Sequence, residues 1–226
     1  MLLEVSDKHR RSRTILQGTA KCQMSCVNKG KLILILGPMK SGKSSELMRM
    51  LRIRRVAKKR VYALKHSIAD GAHHRVNMLK SRDGSEPVDA IEVAKLSEFS
   101  LEDVKDAVIG IDEGQFFESD DLLHFCQAAV RARNLVIVAA LSSDSERCMW
   151  PPVSAAIPFC EELKLYLAVC EYCGQDAQFT FRCAGSDERI DVAAEYKPAC
   201  GECWEAQDVL KIMAKCAQAA PKQPVE

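Results

Sequence analysis

No stretch of the 226 residues approaches the ~20 consecutive apolar side chains that a membrane-crossing helix needs. Net charge is nearly absent as well: 32 Lys and Arg against 31 Asp and Glu leave +1 at pH 7. That balance argues against a bulk nucleic-acid or acidic-membrane partner. The N-terminal segment, residues 1–29, lacks the apolar core of a secretory signal. It is polar and irregular, with Lys8, His9, Arg10, Arg11 and Arg13 clustered. It reads as a disordered extension, with an amphipathic transit peptide as the alternative. A cytoplasmic location is expected, and no internal repeat is visible.

Eleven cysteines are present, but not as a disulfide framework. Cys22, Cys26, Cys126, Cys148, Cys160, Cys183 and Cys216 are scattered singly and read as small apolar fillers or exposed thiols. The other four form Cys170-x-x-Cys173 and Cys200-x-x-Cys203. Two such knuckles suit tetrahedral Zn²⁺, because each pair can present two thiolates at ~2.3 Å. The segment 174–199 between them is longer than the usual zinc-ribbon spacing, so it must hold its own structure. Two unrelated cysteine pairs are the competing reading. Four protein ligands point to a closed structural site rather than a catalytic one.

Length permits one α/β domain with a sizeable core and an accessory piece. Residues 37–45 read Gly-Pro-Met-Lys-Ser-Gly-Lys-Ser-Ser directly after the apolar run 31–36. This is the G-x-x-x-x-G-K-[ST] phosphate-binding pattern, with a strand before it and a helix after it. Gly37 and Gly42 allow a tight turn in which backbone N–H groups converge on phosphate oxygens. Lys43 would reach the terminal phosphates and the Ser44 hydroxyl would sit on Mg²⁺. The loop residues Pro38, Met39, Lys40 and Ser41 belong to the same nucleotide-binding turn.

Ser44 to about Lys59 is free of Gly and Pro, and reads as a helix with Leu47, Met50, Leu51 and Ile53 on its apolar side. Its basic side, Arg49, Arg52, Arg55, Lys58 and Lys59, is a solvated face or a phosphate patch. Residues 61–64 form a short strand, and 66–88 a long loop of the kind that is usually functional. The run 107–111 is a buried strand ending in Asp112-Glu113-Gly-Gln-Phe-Phe117. An acid at that place can help to hold Mg²⁺ beside the phosphate loop, and a second can face the substrate and accept a proton. A surface acid at a strand end is the plainer alternative. Residues 120–132 form an amphipathic helix with Leu122, Leu123, Phe125, Cys126 and Ala129 apolar, and 135–141 is the strongest strand. The alternation predicts a parallel sheet with helices on its faces. Loops 37–44, 112–117 and 142–152 should meet at the strands' carboxyl ends. The expected division is 1–29 extension, 30–166 nucleotide-binding α/β domain, 167–206 zinc subdomain and 207–226 tail, its last ten residues disordered.

The phosphate loop followed by Glu-Leu-Met-Arg, the 111–117 motif, the 136–141 strand and two CxxC pairs, in that order, resemble the zinc-containing, cytosolic-type thymidine kinases. The resemblance covers about residues 30–204. It implies a phosphate-loop NTPase domain, a small zinc-binding lasso subdomain and a homotetramer. It also implies ATP- and Mg²⁺-dependent transfer of the γ-phosphoryl group to the 5′-hydroxyl of deoxythymidine. By the same resemblance Glu113 is the general base and Asp112 lies on the Mg²⁺ side. Gln115 joins the nucleotide-side residues, and Met39, Phe116, Leu141, Thr180, Arg182 and Tyr196 hold the nucleoside. Asp70, Arg75, Arg82 and Asp83 fall in the family's phosphate-side loop.

Departures from the family pattern are specific. Asp-Gly-Thr-Phe after the strongest strand is here Ser142-Ser-Asp-Ser145, so Ser145 replaces a pocket aromatic, while a later one is kept as Trp150. Paired lasso glycines align with Asp191 and Val192, neither of which takes φ > 0 easily. Lys40 stands where the phosphate loop usually has Phe. These changes motivate a rival reading: a degenerate subunit that binds nucleotide or a partner chain with little activity. A phosphate-loop ATPase or a nucleoside kinase of altered base choice is a third.

Overall fold

The computed structural model describes residues 29–68, 77–80, 84, 86–186 and 188–219, with side chains as far as residue 214. The extension 1–28, the loop residues Asp70, Arg75, Arg82 and Asp83, and 220–226 lie outside the described residues.

Strand β1 (Lys31–Gly37) leads through the phosphate loop into helix α1 (Lys43–Val56). Strand β2 (Val61–His66) follows, then the short pair β3 (Met78–Leu79) and β4 (Val88–Asp89), and β5 (Ile91–Val93). Next come β6 (Val108–Asp112), α2 (Ser119–Arg131), β7 (Leu135–Leu141), α3 (Pro151–Ala156) and β8 (Glu162–Leu165). The sheet order is β5-β2-β6-β7-β1-β8, every neighbouring pair parallel. Its central strands read as unbroken apolar runs because helices cover both faces. On β1, Leu32, Leu34 and Leu36 pack toward α2 and α3, whereas Ile33 and Ile35 pack toward α1.

The edge strand β8 escapes the sequence reading. Its residues alternate between half-buried and exposed, and only β1 pairs with it. Helix α1 also departs from expectation. It buries Lys43, Leu47, Met48 and Leu51, leaving Ile53 about half exposed. Leu47 and Leu51 are buried as expected, while Met48 is buried in addition and Met50 only in part.

Wholly buried Asn134 aligns the strand beginnings. Its side chain accepts from the Ala107 N–H at 2.9 Å and donates to the Val104 carbonyl at 2.8 Å, while its own carbonyl takes the Lys31 N–H. With the starts fixed, β6 ends two residues short of β1, and loops of unequal length overhang one side of the sheet.

A second small core follows, from β9 (Ala168–Val169), β10 (Asp176–Ala177), β11 (Phe179–Ala184), β12 (Glu195–Ala199) and helix α4 (Gly201–Ala219). Two antiparallel hairpin pairs, β9–β10 and β11–β12, enclose Ala168, Cys170, Ala177, Phe181, Ala199 and Trp204. Helix α4 runs on past residue 206, so the tail expected from 207 is helical as far as Ala219.

Gly110 lies where α1 presses on β6: an added Cβ would sit 2.8 Å from one Leu51 methyl and 3.1 Å from a Leu47 methyl. Gly110→Ala is expected to destabilise the protein by about 1–3 kcal/mol through overpacking. A lower urea midpoint at unchanged m-value is the readout.

Candidate active site

A cavity of about 960 Å³ lies over the carboxyl ends of β1, β6 and β7. The three loops predicted to meet do so, since Met39 to Ser45, Asp112, Glu113, Gln115 and Phe116, and Ser143 to Ser145 all contribute to its lining. Thr180, Arg182 and Tyr196, from the cysteine module, form the opposite wall.

The phosphate loop is shaped by two left-handed residues, Lys40 at φ 62° and Gly42 at φ 83°. Gly42 caps α1, so the first N–H groups of that helix open toward the cavity, where an anion is favoured. Gly37 and Pro38 support the loop from behind. A Cβ on Gly37 would meet the Tyr166 carbonyl oxygen at 2.4 Å, and the Pro38 carbonyl accepts from Lys43 Nζ at 2.7 Å. Lys40 points away from the loop centre and pairs with Glu171 at 2.5 Å. The side chain that replaced the usual Phe therefore ties the loop to the cysteine module.

Lys43 and Asp112 are both buried. Burial lowers the Lys43 pKa, opposed by the charges of Glu113 and Asp112. Burial raises the Asp112 carboxyl to about 7, reinforced by the neighbouring Glu113 charge and opposed by hydrogen bonds from Ser44 and the Glu113 backbone. Ser44 Oγ donates to Asp112 Oδ1 at 3.0 Å. A hydroxyl beside a carboxylate that is short of positive charge is the donor set a hard divalent cation such as Mg²⁺ takes.

Glu113 adopts φ 53°, a left-handed conformation that is uncommon for a residue with a Cβ. The turn separates the two acids. Asp112 faces Ser44, while Glu113 Oε2 accepts from Gln115 Nε2. Gln115 Oε1 in turn accepts the Leu141 N–H at 3.0 Å, fixing the carboxylate relative to β7. Backbone strain of this kind gathers at functional sites.

The remaining sequence candidates are placed as follows. Thr180 Oγ1 accepts the Met39 N–H at 3.0 Å, which joins the cysteine module to the phosphate loop. Phe116 stands edge-on to Trp150 at 6.3 Å between ring centres. Arg182 lies 5.5 Å over the Tyr196 ring and donates to the Ser186 carbonyl at 2.6 Å. Asp191 and Val192 have no positive φ, so the strain expected from the missing glycines does not arise. Gly185 at φ 130° takes the turn instead, and Asp191 Oδ2 accepts from the Ser186 N–H and hydroxyl.

Several cavity residues escaped the sequence reading. Lys65, buried at the end of β2 beside Asp112 in register, carries the same signal as Asp112: a charged residue closing an apolar strand. Asp144 and Arg189 form an ion pair of 2.8 Å between the 142–150 turn and the lasso. No local pattern announces a pair so far apart in sequence.

The Sγ atoms of Cys170, Cys173, Cys200 and Cys203 all lie within 4.8 Å of one another, with Cys173 and Cys200 at 3.6 Å. A thiolate tetrahedron around Zn²⁺ needs S···S separations of ~3.8 Å, so the four fit that ion. Cys170 is held down to about 6. Burial opposes this, but N–H groups around residues 200, 172 and 173 stabilise its thiolate and prevail.

Sheet, loop and cavity define a phosphate-loop nucleotide-binding α/β protein with a four-cysteine metal module. Comparison with known proteins narrows this class. The thymidine kinase family profile matches residues 30–204. Thymidine kinase of Choristoneura fumiferana entomopoxvirus is 33% identical over 182 residues, which span 78% of this chain and 97% of that protein. The human protein named "Thymidine kinase, cytosolic" is 33% identical over 196 residues, covering 80% and 81% of the two chains. That of Cricetulus griseus is 34% identical over 179 residues, covering 78% and 74%. The chain belongs to the thymidine kinase family.

Two outcomes follow from the site's chemistry. An aspartate whose pKa is raised from 3.8 to about 7 keeps its proton longer when folded than when unfolded. Stability therefore falls as pH rises through that interval. Ligand-free Asp112→Asn should show a higher urea midpoint than the parent at pH 8, the gain vanishing below about pH 4. For the metal module, elemental analysis should find about one zinc per chain, lost in Cys200→Ser, with a shift in tryptophan emission as the packing around Trp204 loosens.

Proposed function

We propose that the chain phosphorylates deoxythymidine at its 5′-hydroxyl, taking the γ-phosphoryl group of ATP with Mg²⁺ as cofactor. The observation that carries this reading is one cavity lined at once by the phosphate loop, by Glu113, and by Phe116, Leu141 and Tyr196. Phosphoryl transfer asks a protein mainly for positioning and charge compensation, plus one group near the nucleophile.

Each requirement has a residue. The N–H groups at the start of α1 and the ammonium of Lys43 bind the triphosphate, Lys43 exchanging its Pro38 carbonyl for phosphate oxygen. Ser44 and Asp112 hold the Mg²⁺, which when bound neutralises charge developing on the phosphate oxygens. Glu113 accepts the proton of the 5′-hydroxyl as that oxygen attacks. Gln115 and the left-handed turn keep the carboxylate aimed at the cavity. Phe116, Met39 and Leu141 enclose the base, and the segment ending at Tyr196 closes over it. The cysteine cluster holds a structural Zn²⁺ and keeps Thr180 and Arg182 in place.

The open cavity and the absence of positive φ at Asp191 and Val192 give no support to a degenerate subunit. The family resemblance further implies a homotetramer in the cytoplasm. Exposed Leu163, Leu165, Leu167 and Val169, along the outer sheet edge and its continuation, offer one apolar surface for such self-association. No helix among the described residues is long and apolar enough to cross a membrane.

Glu113→Gln keeps the side chain's shape and removes its basicity. It should lower kcat for thymidine about 10²- to 10⁴-fold while leaving ATP affinity near the parent's. Thymidine-dependent ADP release is the measurement. Parental turnover in this variant would remove Glu113 from the reaction.

A further inference from the structure

Between β11 and β12 the chain leaves the hairpin at Gly185 and returns at Glu195. On the way Arg189, Ile190, Asp191 and Val192 line the active-site cavity. The described hydrogen bonds of Ser186, Glu188 and Asp191 stay inside the cysteine module. Asp191 accepts from Ser186 and Ala193, the Ser186 hydroxyl accepts from the Glu188 N–H, and the Ser186 carbonyl accepts from Arg182. Arg189 does the opposite. Its side chain crosses to the turn after β7, where Nε meets Asp144 Oδ2 at 2.8 Å and a terminal nitrogen donates to the Met149 carbonyl at 3.1 Å. The guanidinium also lies 4.6 Å over the Trp150 ring. One side chain thus ties the lasso to the sheet domain.

We infer that Asp144 and Arg189 are positioning residues that fasten the lasso across the cavity and set how tightly the nucleoside is retained. The inference deepens the functional reading above and rests on it. Both act through the segment they hold, not by contact with the reacting atoms. Asp144 is a prepared anchor. It is 7% exposed, its Oδ1 accepts the N–H groups of Glu146 and Cys148 at 3.1 and 2.9 Å, and its own N–H donates to the Cys148 carbonyl at 2.9 Å. These bonds leave Oδ2 as the oxygen presented to Arg189. On the lasso side, Arg182 donates to the Arg189 carbonyl at 3.3 Å and so holds the backbone from which the arginine projects.

An ion pair between two exposed side chains contributes little. Here the carboxylate is already out of water and oriented by its own turn, so little ordering cost remains on that side. The arginine spends two nitrogens on two acceptors and lies on an indole face, a combination that lysine cannot reproduce. Its side chain is nevertheless 42% exposed, so water can take over its hydrogen bonds when the lasso lifts. The clasp orders the segment and still releases it. Its anchor lies within residues 142–145, the stretch where this chain departs from the family pattern. The aromatic given up at Ser145 is therefore accompanied by a carboxylate that ties the lasso down near its middle.

The test uses the full chain with thymidine, ATP and Mg²⁺. Asp144→Asn keeps an oxygen for the Glu146 and Cys148 N–H groups but turns an amide donor toward Arg189, whereas Arg189→Gln removes the cation. Each should raise KM for thymidine about fivefold to fiftyfold, with kcat and the KM for ATP changed less than about twofold. Both variants break the same contact, so the double variant should be no worse than the poorer single one. Arg189→Lys keeps the charge without the fork and should fall between the parent and Arg189→Gln. A second readout needs no turnover. Trypsin should cut after Arg189 at least about fivefold faster in Asp144→Asn than in the parent, as mapped by mass spectrometry, because the released segment opens locally. Parental KM for thymidine in both single variants, additive effects in the double, a fall in kcat as large as the rise in KM, or parental cleavage after Arg189 in Asp144→Asn would each overturn the inference while leaving the kinase reading intact. A parent that phosphorylates no nucleoside would instead bring down the reading and the inference together.

Discussion

An ammonium and a carboxylate buried together at the ends of β1 and β6 are the constraint on which the site depends. Lys43 and Asp112 are both out of water, and burial pushes each toward its neutral form. Such an arrangement opposes stability unless something compensates it, and in the free protein the compensation is partial. Lys43 folds back on its own loop, and Asp112 takes one hydroxyl. Under the proposed function a triphosphate with its cation would supply what both lack, and burial of the two groups would make electrostatic stabilisation effective there.

Everything else positions that pair. Gly110 brings α1 against β6, and Asn134 levels the strand starts so that the loops overhang the same end of the sheet. A left-handed turn at residue 113 then gives two consecutive acids different partners, Asp112 the Ser44 hydroxyl and Glu113 the Gln115 amide, which under the proposed function are the cation side and the nucleoside side. The cysteine module carries the other wall. It reaches the phosphate loop through two contacts, Thr180 to the Met39 N–H and Glu171 to Lys40. With only six buried residues in its own core, that module leans on its four thiolates for rigidity.

The sequence disclosed those parts whose signals are local. The phosphate loop, the acid pair after an apolar strand and the two cysteine knuckles are each written in a few consecutive residues. Backbone geometry and metal chemistry tolerate few alternatives there. Strand β8 stayed hidden because an edge strand with one neighbour carries only a weak apolar alternation. Ile53 was misplaced because the helix face is decided by the sheet it meets, not by the helix alone. The Asp144–Arg189 pair was illegible for a deeper reason: it depends on the lasso folding back over a turn some forty residues upstream. Asp191 and Val192 need no positive φ, and Gly185 has one, a detail of the backbone that a residue-by-residue alignment with glycines could not anticipate.

The most direct measurement is a crystal structure with a bisubstrate analogue, thymidine joined through its 5′-oxygen to an adenosine oligophosphate. The phosphates should lie in the 37–44 turn, the base should contact Phe116 and Leu141, and a Glu113 carboxylate oxygen should stand within hydrogen-bond distance of the bridging 5′-oxygen. A Glu113 side chain turned from that oxygen, or an analogue seated outside this cavity, would contradict the account.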